Sequence, residues 1–197
     1  MTRGLHDLVA ELLEYPTPGL VRAAELARRA LAPRCSRAAE AVEAFEAFAA
    51  GSDPRDLEEL YTRTFDLRAP CCLDVGYQLF GENYSRGSFL VRMKREARER
   101  GIDPGSELPD HLPVALRVLG TLGPEDDPRG LVAEALLPAI EKMVASFGGG
   151  ESPYRALLDA VADWLAEEHG VARQPADRSA VRTRLPVLDG REEGALR

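Results

Sequence analysis

The residues best placed to do chemistry are Glu107, Asp110 and His111, in the run Glu-Leu-Pro-Asp-His-Leu-Pro from 107 to 113. A carboxylate beside an imidazole can orient it as a general base. Two carboxylates in a boundary loop can instead receive Arg or Lys of a partner through charge-assisted hydrogen bonds. A third reading is structural: Asp110 caps the helix that follows, Pro113 falls in its first turn where no intrahelical N–H is needed, and Glu107 and His111 are solvated. Spacing alone leaves the three open.

Other chemistry finds less support. His6, His111 and His169 are far apart and Cys35, Cys71 and Cys72 are solitary or adjacent, so neither zinc-ligand spacing nor a disulfide framework is present. No glycine-rich run leads into Lys-Ser or Lys-Thr after a strand, as a phosphate loop requires, and no pair of Glu-x-x-His motifs marks a di-iron bundle. Cys71 and Cys72 could serve as thiolates at a helix start, or fill the core as small apolar residues; the second reading is preferred.

Helices must position these groups. Leu5, Leu8, Val9, Leu12 and Leu13 form one helical stripe, and similar stripes follow from Leu20 to Leu31, after Ser36 to Gly51, and after Asp53-Pro54 to Phe65. Thr17 with Pro18 is the expected start of the second. The nearly uncharged stretch from Cys71 to Gly81 is expected to be a central helix buried on more than one side. A charged helix then runs to Gly101, an apolar one follows Asp110, and Pro138 is expected to kink the next. Ser152-Pro153 opens a last helix ending near Gly170. With no lasting alternation of period two, the reading is an all-α, single-domain bundle of about eight or nine helices over residues 1–170. Residues 171–197 are expected to be a flexible C-terminal tail.

The net charge of −8 argues against nucleic-acid binding, which needs clustered Lys and Arg, and suits a soluble protein or a basic partner. The N-terminus lacks signal-peptide order and no apolar run approaches the ~18 residues needed to span a bilayer, so a cytoplasmic protein without direct membrane insertion is expected.

Three segments in order, Leu57–Leu67 (LEELYTRTFDL), Gly76–Leu90 (GYQLFGENYSRGSFL) and Glu107–Leu112 (ELPDHL), resemble the NarJ-type chaperones of the TorD/DmsD/NarJ superfamily. The resemblance extends from Leu5 to about Trp164. It implies an all-helical, TorD-like fold and a non-enzymatic, client-specific chaperone. Such a protein binds the N-terminal segment of a molybdoenzyme catalytic subunit, nitrate reductase in the NarJ branch, and assists insertion of its molybdenum cofactor. Chaperones for selenate, chlorate or dimethyl-sulfide enzymes are alternatives, as is a nucleotide-dependent helical enzyme using His111. The chaperone would bind no cofactor stably, the molybdopterin guanine dinucleotide being handled by the client, and would be a monomer or weak dimer. By match, Glu107, Pro109, Asp110 and His111 flank the peptide groove, and Tyr77, Leu79, Phe80 and Tyr84 are expected to form its apolar wall. Leu108 separates Glu107 from Pro109, as in the NarJ-like form; many TorD and DmsD members have the two adjacent.

Overall fold

The structure is a computed structural model that describes residues 4–66 and 71–174. Ten α-helical segments make up its framework: α1 (Leu5–Leu12), α2 (Leu20–Leu31), α3 (Ser36–Gly51), α4 (Pro54–Phe65), α5 (Val75–Phe80), α6 (Tyr84–Glu99), α7 (Leu112–Leu119), α8 (Pro128–Leu131), α9 (Leu137–Ser146) and α10 (Pro153–His169). A π turn, Val132–Leu136, joins α8 to α9 as one rod. This is the all-α bundle expected. Among the described residues the only extended pairing is an isolated antiparallel bridge between Asp74 and His111. No helix of the described residues is long and apolar enough to cross a membrane.

The apolar stripes become one core. Helix α10 packs on α3 and α9, while α1 lies between α2 and α7. Trp164 and Tyr154 of α10 are both 0 % exposed. Around Tyr154 the rings of Phe45, Tyr61 and Phe65 gather with centroids 5.5, 5.8 and 5.0 Å away, which ties α3 and α4 to α10. Tilted and edge-on contacts of this kind add about 1 kcal/mol each beyond burial. The Tyr61 hydroxyl donates to the Leu13 carbonyl at 3.3 Å, so α4 also grips the end of α1.

Several boundaries follow local rules. Asp53 accepts the Arg55 N–H at 2.9 Å ahead of Pro54, and Gly101 adopts φ +68° just past α6. Elsewhere local backbone geometry changed the outcome. Helix α2 begins at Leu20, because Thr17 Oγ1 receives the Gly19 N–H at 3.2 Å in the turn before it. Pro138 is absorbed rather than simply kinking its rod: the π turn widens the backbone just ahead of a ring that has no N–H to give.

The stretch from Cys71 to Gly81 departs most from expectation. Only Val75–Phe80 is helical; Cys71–Leu73 is not, and Leu73–Val75 lies against residues 110–112. The Val75 N–H reaches the Asp110 carbonyl and the Leu112 N–H reaches the Leu73 carbonyl, both at 2.9 Å. A six-residue helix has one buried side at its start, Val75 and Gly76, while Tyr77 and Phe80 remain 41 % and 40 % exposed. Low charge here reflects backbone pairing and a corner, not an enclosed central rod.

The C-terminal tail expected from Val171 lies mostly outside the described residues. Its first residues are described, and Arg173 is bound to Glu141 at 2.7 Å, Asp159 at 2.6 Å and Asp163 at 2.5 Å. The packed body therefore extends past Gly170.

Candidate functional site

The paired segments 73–75 and 110–112 set the geometry around the Asp-His pair. Asp110 is 0 % exposed and its carboxylate does not cap the helix that follows. His111 holds the N-cap position of α7 with no side-chain cap bond, and Pro113 sits in the first turn as expected. Asp110 Oδ2 instead accepts the Gly76 N–H at 3.1 Å, capping α5 across the chain. The reason is the bridge, which turns residue 110 away from its own helix and toward the start of α5.

Arg86 completes this cluster. Its guanidinium donates to Asp74 Oδ2 at 2.9 Å, lies 3.6 Å from Asp110 Oδ2 and stands 5.4 Å from the Tyr77 ring centroid. Burial and neighbouring Asp74 push the Asp110 carboxyl above its usual range, opposed by Arg86 and the Gly76 N–H. Arg86 was not singled out in the sequence, although a cation in the first turn of a helix opposes the dipole and asks for a nearby acid.

Gly76 is required by space. A Cβ there would stand 2.6 Å from Asp110 Oδ2 and 2.9 Å from the Phe89 ring. Neither neighbour is free to retreat, since one holds the cap and the other packs on the core. Gly76→Ala is expected to lower stability by about 2 kcal/mol despite alanine's higher helix propensity, read as a lower urea midpoint. A stabilised variant would show that the cluster yields easily.

Above the cluster opens a cleft of about 560 Å³. Its deeper surface comes from Tyr61, Phe65, Leu73 and His111, all buried. Its rim carries Glu14, Asp66, Asp74 and Glu107. Arg117 binds Glu14 with two bonds of 2.6 and 2.8 Å, and Arg86 binds Asp74. Asp66 and Glu107 are exposed and have no ion pair among the described residues. The cleft thus has an excess of negative charge over an aromatic base, suited to a cationic group on an apolar chain. Carboxylates in that position repel phosphates, so the cleft does not fit a phosphate-bearing cofactor.

The structure brings some sequence-selected residues together and separates others. Glu107 and His111 line the acidic cleft, Glu107 and Pro109 line a neighbouring cleft, and Asp110 is fully buried and lines neither. No hydrogen bond joins the His111 imidazole to Glu107 or Asp110, so the general-base reading lacks its orienting contact. Tyr77 touches the cluster only through Arg86, Leu79 packs on the core, Phe80 meets Phe89 at 6.0 Å, and Tyr84 is 91 % exposed. The apolar wall of the acidic cleft is Tyr15, Tyr61, Phe65 and Leu73. Glu14 and Tyr15 carried no motif; only the turn after α1 delivers them. Burial raises the thiol of Cys71 to about 12 and that of Cys72 to about 11, which keeps both protonated and agrees with the apolar reading of the pair.

Burial also lowers the pKa of His6, His111 and His169 below 6.5, although nearby carboxylates oppose it. The unfolded chain therefore binds protons first on acidification. These histidines cost nothing above about pH 6.5, and stability falls as pH drops from there toward their folded values. Asp110 has the opposite sign and acts lower, between its ordinary 3.8 and its raised value. The melting temperature should fall from about pH 7 to about pH 5, with a shallower slope in His169→Gln. A flat profile would rule out neutral buried imidazoles.

These features define the class: an all-α, TorD-like bundle with an acidic, aromatic-based cleft at the joint of α1, α4, α5 and α7. Within that class, the chain belongs to the nitrate reductase delta subunit family, whose profile matches residues 33–147. It is 28 % identical over 179 residues to the nitrate reductase molybdenum cofactor assembly chaperone NarJ of Escherichia coli (strain K12), covering 87 % of this chain and 75 % of that protein. The NarJ of Escherichia coli O157:H7 gives the same figures. A shorter match, 33 % over 75 residues, is to the nitrate reductase-like protein NarX of Mycobacterium tuberculosis (strain CDC 1551 / Oshkosh), covering 38 % of this chain and 12 % of that protein. Glu14 and Tyr15 lie outside the segment matched by the family profile.

Proposed function

We propose that the protein is an assembly chaperone for the catalytic subunit of a nitrate-reductase-type molybdoenzyme. It acts in the cytoplasm, where it holds the client's N-terminal segment while the molybdenum cofactor enters the client. The observation that carries this reading is the likeness to the chaperone NarJ over 87 % of the chain. The cleft supports it physically. A client segment bearing Arg or Lys beside an apolar residue would place the cation between Asp66 and Glu107 and the apolar group on Tyr15 and Phe65. The molybdopterin guanine dinucleotide, with its phosphates, goes to the client and not into this cleft.

Calorimetric titration with the N-terminal peptide of the nitrate reductase catalytic subunit from the same genome tests the proposal. Binding is expected to weaken with salt, mainly through on-rate. Glu107→Lys and Asp66→Lys should each lower affinity by roughly five- to tenfold, since both carboxylates are exposed and reversal only doubles a modest surface term. No heat at high micromolar peptide, with the protein folded, would sink the reading.

A further inference from the structure

A second cleft, of about 660 Å³, lies between α6 and the loop that follows it. It shares Pro104 and Glu107 with the acidic cleft, so the two meet along one ridge. Its α6 wall is cationic where its neighbour's rim is acidic. Along α6 it is lined by Val91, Lys94, Arg95 and Arg98, and the opposite wall is formed by Ile102, Pro104 and Pro109 with the carboxylates Asp103 and Glu107.

Lys94 and Arg98 are exposed and make no ion pair among the described residues, while Arg95 shares only Glu96, at 3.2 Å. On the loop side Asp103 is turned to the Gly105 N–H at 2.9 Å, and Glu107 faces both clefts. A chain of net charge −8 thus keeps a short row of uncommitted cations along an apolar wall. Val91 is 72 % exposed and Leu108, on the adjacent loop, 45 %.

We propose that this cleft between α6 and the 102–109 loop binds an anionic, apolar peptide segment, the part of the client that continues from the cationic stretch held in the acidic cleft. The spacing favours a chain over a small anion. From Val91 to Arg98 the lining runs roughly 10 Å along the helix, with cations at successive turns. Asp or Glu side chains would meet Lys94 and Arg98, while Leu or Met would cover Val91 and Ile102. The client segment recognised is therefore bipolar, basic then acidic, and crosses at Pro104 and Glu107. This rests on the chaperone reading for the identity of the occupant, but not for the chemistry of the cleft.

Three synthetic peptides separate the possibilities by fluorescence anisotropy: a basic-aromatic half, an acidic-leucine half, and the two joined in that order. The joined peptide should bind at least about tenfold tighter than the basic half, because the second contact becomes intramolecular. Lys94→Glu combined with Arg98→Glu, both on the solvent side of α6, should erase that gain and leave the basic half within about twofold. A joined peptide no tighter than the basic half, or a variant that weakens both alike, overturns the proposal. Displacement of the acidic half by pyrophosphate, where chloride of equal ionic strength fails, also overturns it by revealing a small-anion site. Loss of acidic-half binding in the variant supports the second cleft even if the basic half does not bind, an outcome that sinks only the acidic-cleft reading.

Discussion

Asp110→Ala is expected to lower unfolding free energy by about 3 kcal/mol, combining a lost helix cap with a broken buried pair. The carboxylate is fully buried, accepts the Gly76 N–H at 3.1 Å and lies 3.6 Å from the Arg86 Nε. Removing it leaves the first turn of α5 short of an acceptor and Arg86 with Asp74 alone. Asp110→Asn keeps an oxygen for the Gly76 N–H and removes a charge that burial and Asp74 disfavour, so it should stay within about 1 kcal/mol of the parent, and the two variants separate the cap from the charge. Urea denaturation reads both, and an Asp110→Ala protein within about 0.5 kcal/mol of the parent would refute the structural role. One consequence concerns function. Taken from the sequence alone, replacing the Asp-His pair tests peptide contact while leaving the fold intact. With Asp110 and His111 both buried, weakened peptide binding in such a variant would report a disturbed scaffold, and the exposed Glu107 is the proper probe.

The second large effect lies at the far end of the described chain. Arg173 is held by Glu141, Asp159 and Asp163, and Glu141 is only 5 % exposed. Arg173→Ala should cost about 3 kcal/mol, because Glu141 would then be a buried carboxylate without its cation. Replacing Glu141 with Gln in the same chain should restore about half of that loss, since an amide is far cheaper to bury unpaired than a carboxylate. Thermal or urea unfolding of the two variants checks both statements. Equal stability of Arg173→Ala and the parent would show that the segment after α10 is not fastened to it.

The bundle was legible because its stabilising interactions are local or periodic. The stripes of α1, α3, α4 and α10, the Asp53-Pro54 start and the Gly101 stop each express rules that act within a turn or two. The site was legible only in part. Glu107, Asp110 and His111 stood out by type and spacing, but whether each faces solvent, client or core depends on contacts far along the chain. Asp110 acts on Gly76, 34 residues away, and Arg117 reaches Glu14 across 103. Neither separation leaves a period or motif to read.

By itself the sequence determined an all-helical body, the absence of phosphate-loop and zinc-ligand spacing, an acidic balance, and a family resemblance that the profile match over residues 33–147 supports. Only the tertiary structure decided that Asp110 is a buried cap of α5, that α5 is a short corner, and that Glu14, Tyr15, Asp66 and Glu107 share one cleft. The physical reason is range. Helix formation is governed by neighbours three or four residues apart, whereas burial and charge pairing are properties of surfaces assembled from distant segments.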